Sequence, residues 1–426
     1  MAETNLVPFR WPSGWTDPAL LRLVAASPIN CLLFESLAAA GPVADAARAA
    51  GLTALDWKAL SPAPLADVNW SSTAPQNVIT GLTWPRITLS TRTRGAVDAG
   101  PTGAPWIDSN TWVARLAAVR APRRAVWLGF EAAKNDPVPR ESDYRIAIAD
   151  SAASGARWML ALDDGLRQGL PAGNADALKT WRGILAALAF FESHREWTGW
   201  EPAGSAGILS SFAGNDEFLA QEMLNLAARR NLFYRVLVRS VPESLKLEGL
   251  AAVLYADGDP PSSELKATLV RFAQSGGLLI VPKALAAQFP GDKPVACPVA
   301  GYDLRSFGKG SVAAATREWD DPYFLAADLH NLVKRRNDPV TLFNARSLWG
   351  HYALAPAGRA ALLQFVAFTS RSIESVSMAP ARPWRSAAMY TIGADRPAML
   401  DPVRVEGRME FHLPAFTNYA ALEFRA

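Results

Sequence analysis

The chain has 426 residues, half of them hydrophobic and 19% charged, with a net charge of +3. That is a globular composition, enough for about two to four domains, and not that of a disordered chain. A charge so small, spread over interleaved acids and bases, gives no electrostatic ground for a nucleic-acid partner.

The first 203 residues read as alternating short strands and helices. Strands are expected at Asn30–Phe34, Thr53–Leu55, Asn77–Leu82, Ile87–Ser90, Ala125–Phe130 and Arg157–Leu162. Helices are expected at Ala19–Ala26, Val43–Ala50, Trp112–Val119, Asp143–Ser154 and Ala175–Ser193. The strand segments are nearly continuous apolar runs, which suits parallel strands buried on both faces. Such alternation suggests a TIM-barrel-like α/β domain, shorter than the usual length of about 250 residues, with a doubly wound open sheet as the alternative.

The segment Gly199–Ser205 is a Gly/Pro/Ser break and the first expected boundary. Beyond it, strands at Ala206–Phe212, Tyr234–Arg239, Leu250–Tyr255 and Leu278–Pro282 enclose two helices. Asn215 or Asp216 caps the first, Ser262 and Ser263 cap the second, and Gly276–Gly277 ends it. This is the order of a flavodoxin-like sheet, continuing through Gly310–Thr316 to a helix at Pro322–Arg335. The run Lys334, Arg335, Arg336 reads as a solvated helix end. From about Leu342 onward, short strands follow one another without helices, as in a small antiparallel β-sandwich. The expected domains are therefore 1–203, 204–341 and 342–426.

The two cysteines, Cys31 and Cys297, form neither a disulfide framework nor a zinc pattern. Cys31, inside an apolar run, is expected to be a buried thiol. The four histidines are scattered, with no metal-ligand spacing, so no metal and no cofactor are expected. No apolar stretch approaches the roughly 20 residues of a membrane span, and Met1–Trp15 lacks the apolar core of a signal peptide. A soluble protein is expected, exported only if a leader segment precedes these residues. "SFGKGS" (Ser306–Ser311) lacks the spacing of a phosphate-binding loop and reads as a β-turn.

Twelve of the fifteen tryptophans fall in the first 200 residues. Indole faces stack on the C–H patches of sugar rings, although they also fill cores. The same segment places acids after apolar runs: Glu35, Asp56, Glu131, Asp163 and Asp164. In α/β barrels the site forms at the carboxyl ends of the strands. Paired carboxylates there are what glycoside hydrolysis requires, about 5–5.5 Å apart for retention and about 6.5–9.5 Å for inversion. Glu131 is the expected acid, because Trp127 and Phe130 precede it in "VWLGFE", with Asp163 or Glu35 as its partner. The cluster "PWIDSNTW" (Pro105–Trp112) reads as a sugar-binding loop, with Trp106 and Trp112 stacking and Asp108 and Asn110 hydrogen-bonding. Asp108 or Ser109 could equally cap the following helix. Asp56, Trp57 and Trp127 complete the expected substrate-binding set.

Several stretches carry a family resemblance: "FAQSGGLLIVPK" (Phe272–Lys283), "GKGSV" (Gly308–Val312), "DDPYFLAADLHNLVKRR" (Asp320–Arg336) and "FHLPAFTNYAALEF" (Phe411–Phe424). With the order of the three domains, they resemble the family 42 β-galactosidases, in which a barrel is followed by an amidotransferase-like domain and a small β domain. The resemblance covers about half the chain and little of its first 200 residues. It implies a glycosidase acting on a carbohydrate, and a homo-oligomer formed through the middle domain. The family's barrel presents an Asn-Glu pair for its acid, whereas no Asn precedes Glu35, Glu131, Glu192 or Glu201. The strand Leu250–Tyr255 is followed by Ala256, Asp257 and Gly258, so the middle domain lacks the thiol of a glutaminase elbow. Three readings follow: a two-carboxylate glycosidase, an inactive glycan-binding relative, or an oligomeric scaffold.

Overall fold

The computed structural model describes residues 5–88, 90–91, 97–98, 106–130, 138–333, 338–345, 348–356 and 358–425. The expected acid Glu131 and the run Lys334–Arg336 lie outside them, and at residues 87–106 only the backbone and the strands it forms are described. The chain is a mixed α/β protein with several sheets.

In the first segment, β1 (Pro8–Arg10), β2 (Cys31–Phe34) and β3 (Thr53–Asp56) form one parallel sheet. A second parallel sheet contains β4 (Ala63–Pro64), β5 (Gln76–Thr80), β10 (Ala125–Leu128) and β11 (Arg157–Trp158). Between them in sequence lie two small antiparallel pairs, β6 (Arg86–Thr88) with β9 (Trp106–Asp108) and β7 (Ser90–Thr91) with β8 (Val97–Asp98). A parallel bridge joins the two larger sheets: Arg10 N–H donates to Leu160 O at 2.8 Å and Leu160 N–H to Pro8 O at 3.2 Å. The result is one row of seven parallel strands.

On one face of this row, Cys31 and Leu33 of β2, Val78 of β5 and Trp127 of β10 meet in one cluster with Trp57 and Met159. Burial there pushes the Cys31 thiol up to about 12, so it stays protonated and apolar in character. On the other face, Leu32, Phe34, Val126, Leu128 and Leu160 pack against helices. These are α1 (Leu37–Ala49), α2 (Thr111–Arg120), α3 (Glu141–Ala153) and α5 (Ala175–Ser193), with the short α4 (Asp164–Gly169) beside α5. Both strand faces are therefore apolar, which explains the nearly continuous hydrophobic runs.

The tryptophans are chiefly core. Trp11, Trp15, Trp57, Trp127, Trp158, Trp181 and Trp197 are buried. Several use the indole N–H to fasten one loop to another: Trp11 to Trp15 O, Trp15 to Arg167 O and Trp181 to Leu23 O, each at 2.8 Å.

Residues after 203 form a separate six-stranded sheet in the order β14-β13-β15-β16-β18-β17. Its strands are β13 (Ala206–Ser210), β14 (Tyr234–Val238), β15 (Ala252–Tyr255), β16 (Leu278–Val281), β17 (Tyr302–Phe307) and β18 (Gly310–Ala315). All are parallel except β17, an edge strand joined to β18 by a two-residue turn. Gly308 starts that turn with φ 59°, as a two-residue hairpin prefers, so "SFGKGS" is a turn. Helices α6 (Glu217–Arg229) and α8 (Pro322–Val333) pack together on one face, and α7 (Ser263–Gln274) covers the other.

Two antiparallel sheets follow. One holds β20 (Leu348–Leu354), β21 (Ala360–Ala367), β23 (Ser386–Thr391), β24 (Ala398–Leu400) and β27 (Tyr419–Arg425). Its edge is β12 (Glu201–Pro202), which comes from the Gly/Pro break itself. The other holds β19 (Val340–Phe343), β22 (Ser377–Pro380), β25 (Val403–Val405) and β26 (Arg408–His412). Met378 and Phe411 of the second sheet pack against Phe365, Leu422 and Phe424 of the first. The opposite face of the larger sheet, with Leu362, Val366 and Tyr419, joins a core shared with α2, α3 and the middle sheet.

Candidate active site at the strand ends

Parallel strands leave their carboxyl ends on one side of the sheet, and a cavity of about 380 Å³ opens there. Residues at or just beyond the ends of four of these strands line it. β1 ends at Arg10 and Trp11, β2 at Leu33 with Glu35 just beyond, β10 is followed by Phe130, and the stretch after β11 supplies Leu162 and Asp163. Trp84, Tyr144 of α3 and Arg167 of α4 complete the wall. The volume is that of a small-molecule site.

Glu35 follows the last residue of β2, so its carboxylate leaves the sheet and is half exposed. Its nearest ionic partner is Arg10, with Nη2 3.6 Å from Oε1. The Arg10 guanidinium also lies 4.4 Å from the centroid of the buried Trp57 ring.

Asp163 is held more tightly. Oδ1 accepts from Gly165 N at 2.8 Å and Leu166 N at 3.1 Å, capping α4. Oδ2 accepts from the Tyr144 hydroxyl at 3.0 Å, and that hydroxyl accepts from Asp163 N at 2.9 Å. Burial first, then the Asp163 charge, raises the Tyr144 pKa above the ordinary tyrosine range, so it stays a neutral donor. Arg167 donates Nε–H to Leu162 O at 2.7 Å and pairs with Asp164 at 3.3 Å. Trp84 stands edge-on to Phe130, Tyr144 and Trp158 at centroid distances of 5.4, 5.2 and 5.4 Å. The cavity thus combines aromatic walls, two carboxylates and two guanidinium groups.

Of the residues expected from sequence, Glu35 and Asp163 come together here. Phe130, the residue before Glu131, lines the same wall, while Glu131 itself lies outside the described residues. Of the expected substrate-binding residues, those whose side chains are described lie elsewhere. Asp56 is a turn cap, accepting from Lys58 N at 2.9 Å and Ala59 N at 3.3 Å. Trp57 and Trp127 are buried in the core, where no sugar can stack on them. Asn110 is buried and donates to Thr83 O at 2.8 Å, so its amide is spent on the fold. Trp112 packs between two hydrophobic cores, and Asp108 sits opposite Arg86 in the β6–β9 pair. Of Trp106, only its place in β9 is described.

Three residues that the sequence reading passed over matter here: Arg10, Trp84 and Tyr144. Arg10 lies in a three-residue strand, too short for a periodic signal, and Tyr144 lies mid-helix, where nothing local announces its contact with Asp163. Among the described residues no group of three or more His, Cys, Asp or Glu could hold a metal ion, and no helix is long and apolar enough to cross a membrane.

No protein-family profile matches the chain, and no curated protein matches it. Several solved structures are similar to it at low identity. One is a rhamnosidase from Novosphingobium sp. PP1Y, with TM-score 0.50 and 12% identity over 90% of this chain and 38% of that one. Another is alpha-L-fucosidase isoenzyme 2 from Paenibacillus thiaminolyticus, with TM-score 0.48 and 11% identity over 71% of this chain and 60% of that one. A third is a beta-galactosidase from Bacillus circulans sp. alkalophilus, with TM-score 0.46 and 9% identity over 74% of this chain and 61% of that one. The chain therefore spans 60% and 61% of the length of the latter two. At such identities the likeness concerns the fold alone.

Proposed function

We propose that the protein is a glycoside hydrolase acting on an oligosaccharide through two carboxylates at the strand-end cavity. In this reading the first domain, residues 1–203, is a shortened TIM-barrel-like catalytic unit. Residues 204–341 form a flavodoxin-like, amidotransferase-like domain, and 342–426 a β-sandwich. The observation that carries it is the cavity at the carboxyl ends of four parallel strands, walled by Trp11, Trp84, Phe130 and Tyr144 and entered by Glu35 and Asp163. Glu131, directly after Phe130, is the acid. Glu35, free of cap bonds, is the preferred partner, and Asp163 positions Tyr144 and α4. Arg10, 3.6 Å away, then orients the Glu35 carboxylate. The middle domain carries homo-oligomerisation: Phe218 and Phe324 stand exposed near the starts of the packed helices α6 and α8. A panel of nitrophenyl glycosides tests the activity, and turnover of at least one is expected.

A second reading, glycan binding without hydrolysis, is favoured by one feature. Both Asp163 oxygens are already engaged, by the α4 cap and by Tyr144. Affinity electrophoresis in oligosaccharide gels separates the two: retardation without turnover of any glycoside supports binding alone.

A further inference from the structure

A second cavity, of about 310 Å³, lies at the opposite end of the same strands. Its wall includes Pro8 at the start of β1, Ala125 at the start of β10 and Arg157 at the start of β11. Gln364 of β21 closes one side, so residues of two sheets meet there. The floor is apolar, formed by Val126, Ile148, Leu188 and Trp158.

The rim is basic. Arg123, Arg124, Arg157 and Arg195 border the cavity, against a single carboxylate, Glu192. Arg157 is paired with Glu192, and Arg124 donates to the carbonyls of Asn69 and Trp70. The Arg123 and Arg195 side chains are exposed and make no hydrogen bond or ion pair with any described residue. His194 also lines the cavity. Its Nδ1 lies 2.8 Å from Phe190 O, and a carbonyl can only accept, so Nδ1 carries the proton. Its Nε2 has no partner among the described residues, and the ring is held in place by stacking on Trp197 at 4.3 Å.

We infer that this cavity binds a small organic anion, with a phosphate or carboxylate head held by Arg123 and Arg195 and a single ring lying on the apolar floor. Unneutralised guanidinium groups above a low-dielectric floor focus positive potential into the cavity. Their planar forks match two oxygens of a phosphate or carboxylate, and the volume suits one ring and its head group. The site is separate from the strand-end cavity and does not depend on the function proposed there.

Calorimetric titration of the full chain tests this with phenyl phosphate, inorganic phosphate and phenol as probes, at about 0.15 M salt to suppress loose ion pairing. Phenyl phosphate should saturate one site at least about tenfold more tightly than inorganic phosphate, since ring burial adds to the charged contacts. Phenol should not bind measurably. The double variant Arg123→Ala/Arg195→Ala removes two exposed side chains without partners, so it should fold normally by circular dichroism and lose at least about tenfold in affinity. Glu35→Gln should leave the titration unchanged, which keeps this site distinct from the strand-end cavity. No saturable binding of phenyl phosphate, equal binding of inorganic phosphate, or undiminished binding by the double variant would each overturn the proposal.

Discussion

Arg115 Nη2 lies 2.9 Å from His351 Nδ1, joining α2 of the first segment to β20 of the larger antiparallel sheet. The same guanidinium stands 5.0 Å from the centroid of Tyr234, on the edge strand β14 of the middle sheet. One side chain on α2 therefore touches two sheets. An arginine can only donate, so His351 Nδ1 accepts and its proton sits on Nε2, which has no hydrogen-bond partner among the described residues.

Arg115→Met keeps the aliphatic stem but leaves the buried His351 without its donor. It should lower the unfolding free energy by about 1–3 kcal/mol, the usual cost of an orphaned buried polar group. Urea denaturation measures this, and an unchanged midpoint would show that the contact contributes nothing.

Two buried groups beside this junction give opposite pH dependences. Burial, then the Arg115 charge, holds His351 well below the ordinary histidine range. The unfolded chain protonates first, so the stability from neutral His351 is present above about pH 6.5 and is lost as pH falls below it. Asp150 is fully buried, and burial raises its pKa to about 6 against the bonds it accepts from Ser109, Asn110 and Thr111. Its contribution is present below about pH 3.9 and is lost as pH rises through about 6. Asp150→Asn should therefore gain on the parent protein by about 3 kcal/mol between about pH 4 and 7. Parallel stability curves for the two proteins would contradict this.

In the middle sheet, the turn after β15 carries Asp257, at the position where the amidotransferase-like reading proposed above would require a thiol. Its carboxylate is buried, accepts from Ser211 N at 2.9 Å and pairs with Arg239 at 2.9 Å. Ammonia release from glutamine should stay at background. Asp257→Ala should cost about 3–5 kcal/mol, because it strands a partly buried guanidinium, the Ser210 hydroxyl and the Ser211 N–H. A thermal scan suffices, and a melting temperature equal to the parent's would rule out this anchoring role.

Gly310 opens β18 against the end of α7. A Cβ there would lie 2.3 Å from the carbonyl oxygens of both Ala273 and Gly277, which are backbone atoms without rotamers to yield. Gly310→Ala should destabilise by about 1–3 kcal/mol, as overpacking does. Full retention of the denaturation midpoint would mean that the strand can shift freely.

The order of helices and long strands could be read from the chain because each carries its own period and caps. Ser262 does cap α7, accepting from Leu265 N at 3.2 Å, and Asn174 caps α5. Pairs that depend on distant partners could not be read. β1 has three residues, and its place in the row comes from a bridge to Leu160. β17 alternates too weakly for a pattern, since as an edge strand it is buried only at Tyr302. Helix α1 begins at Leu37 rather than Val43, because Ser36 caps it ahead of a kink at Gly41. The tryptophans show the limit for the site: the same ring fills a core or faces a ligand, and the sequence does not distinguish Trp127, fully buried, from Trp84, on the cavity wall.

Turnover of a nitrophenyl glycoside by the parent protein and by Glu35→Gln and Glu131→Gln tests the central claim most directly. Hydrolysis is expected in the parent. Each variant should lose about 100-fold or more in kcat, as general acids and nucleophiles contribute to the transition state, while sugar binding stays largely intact. Full turnover in both variants, or no turnover of any glycoside by the parent, would contradict a two-carboxylate glycosidase at this cavity.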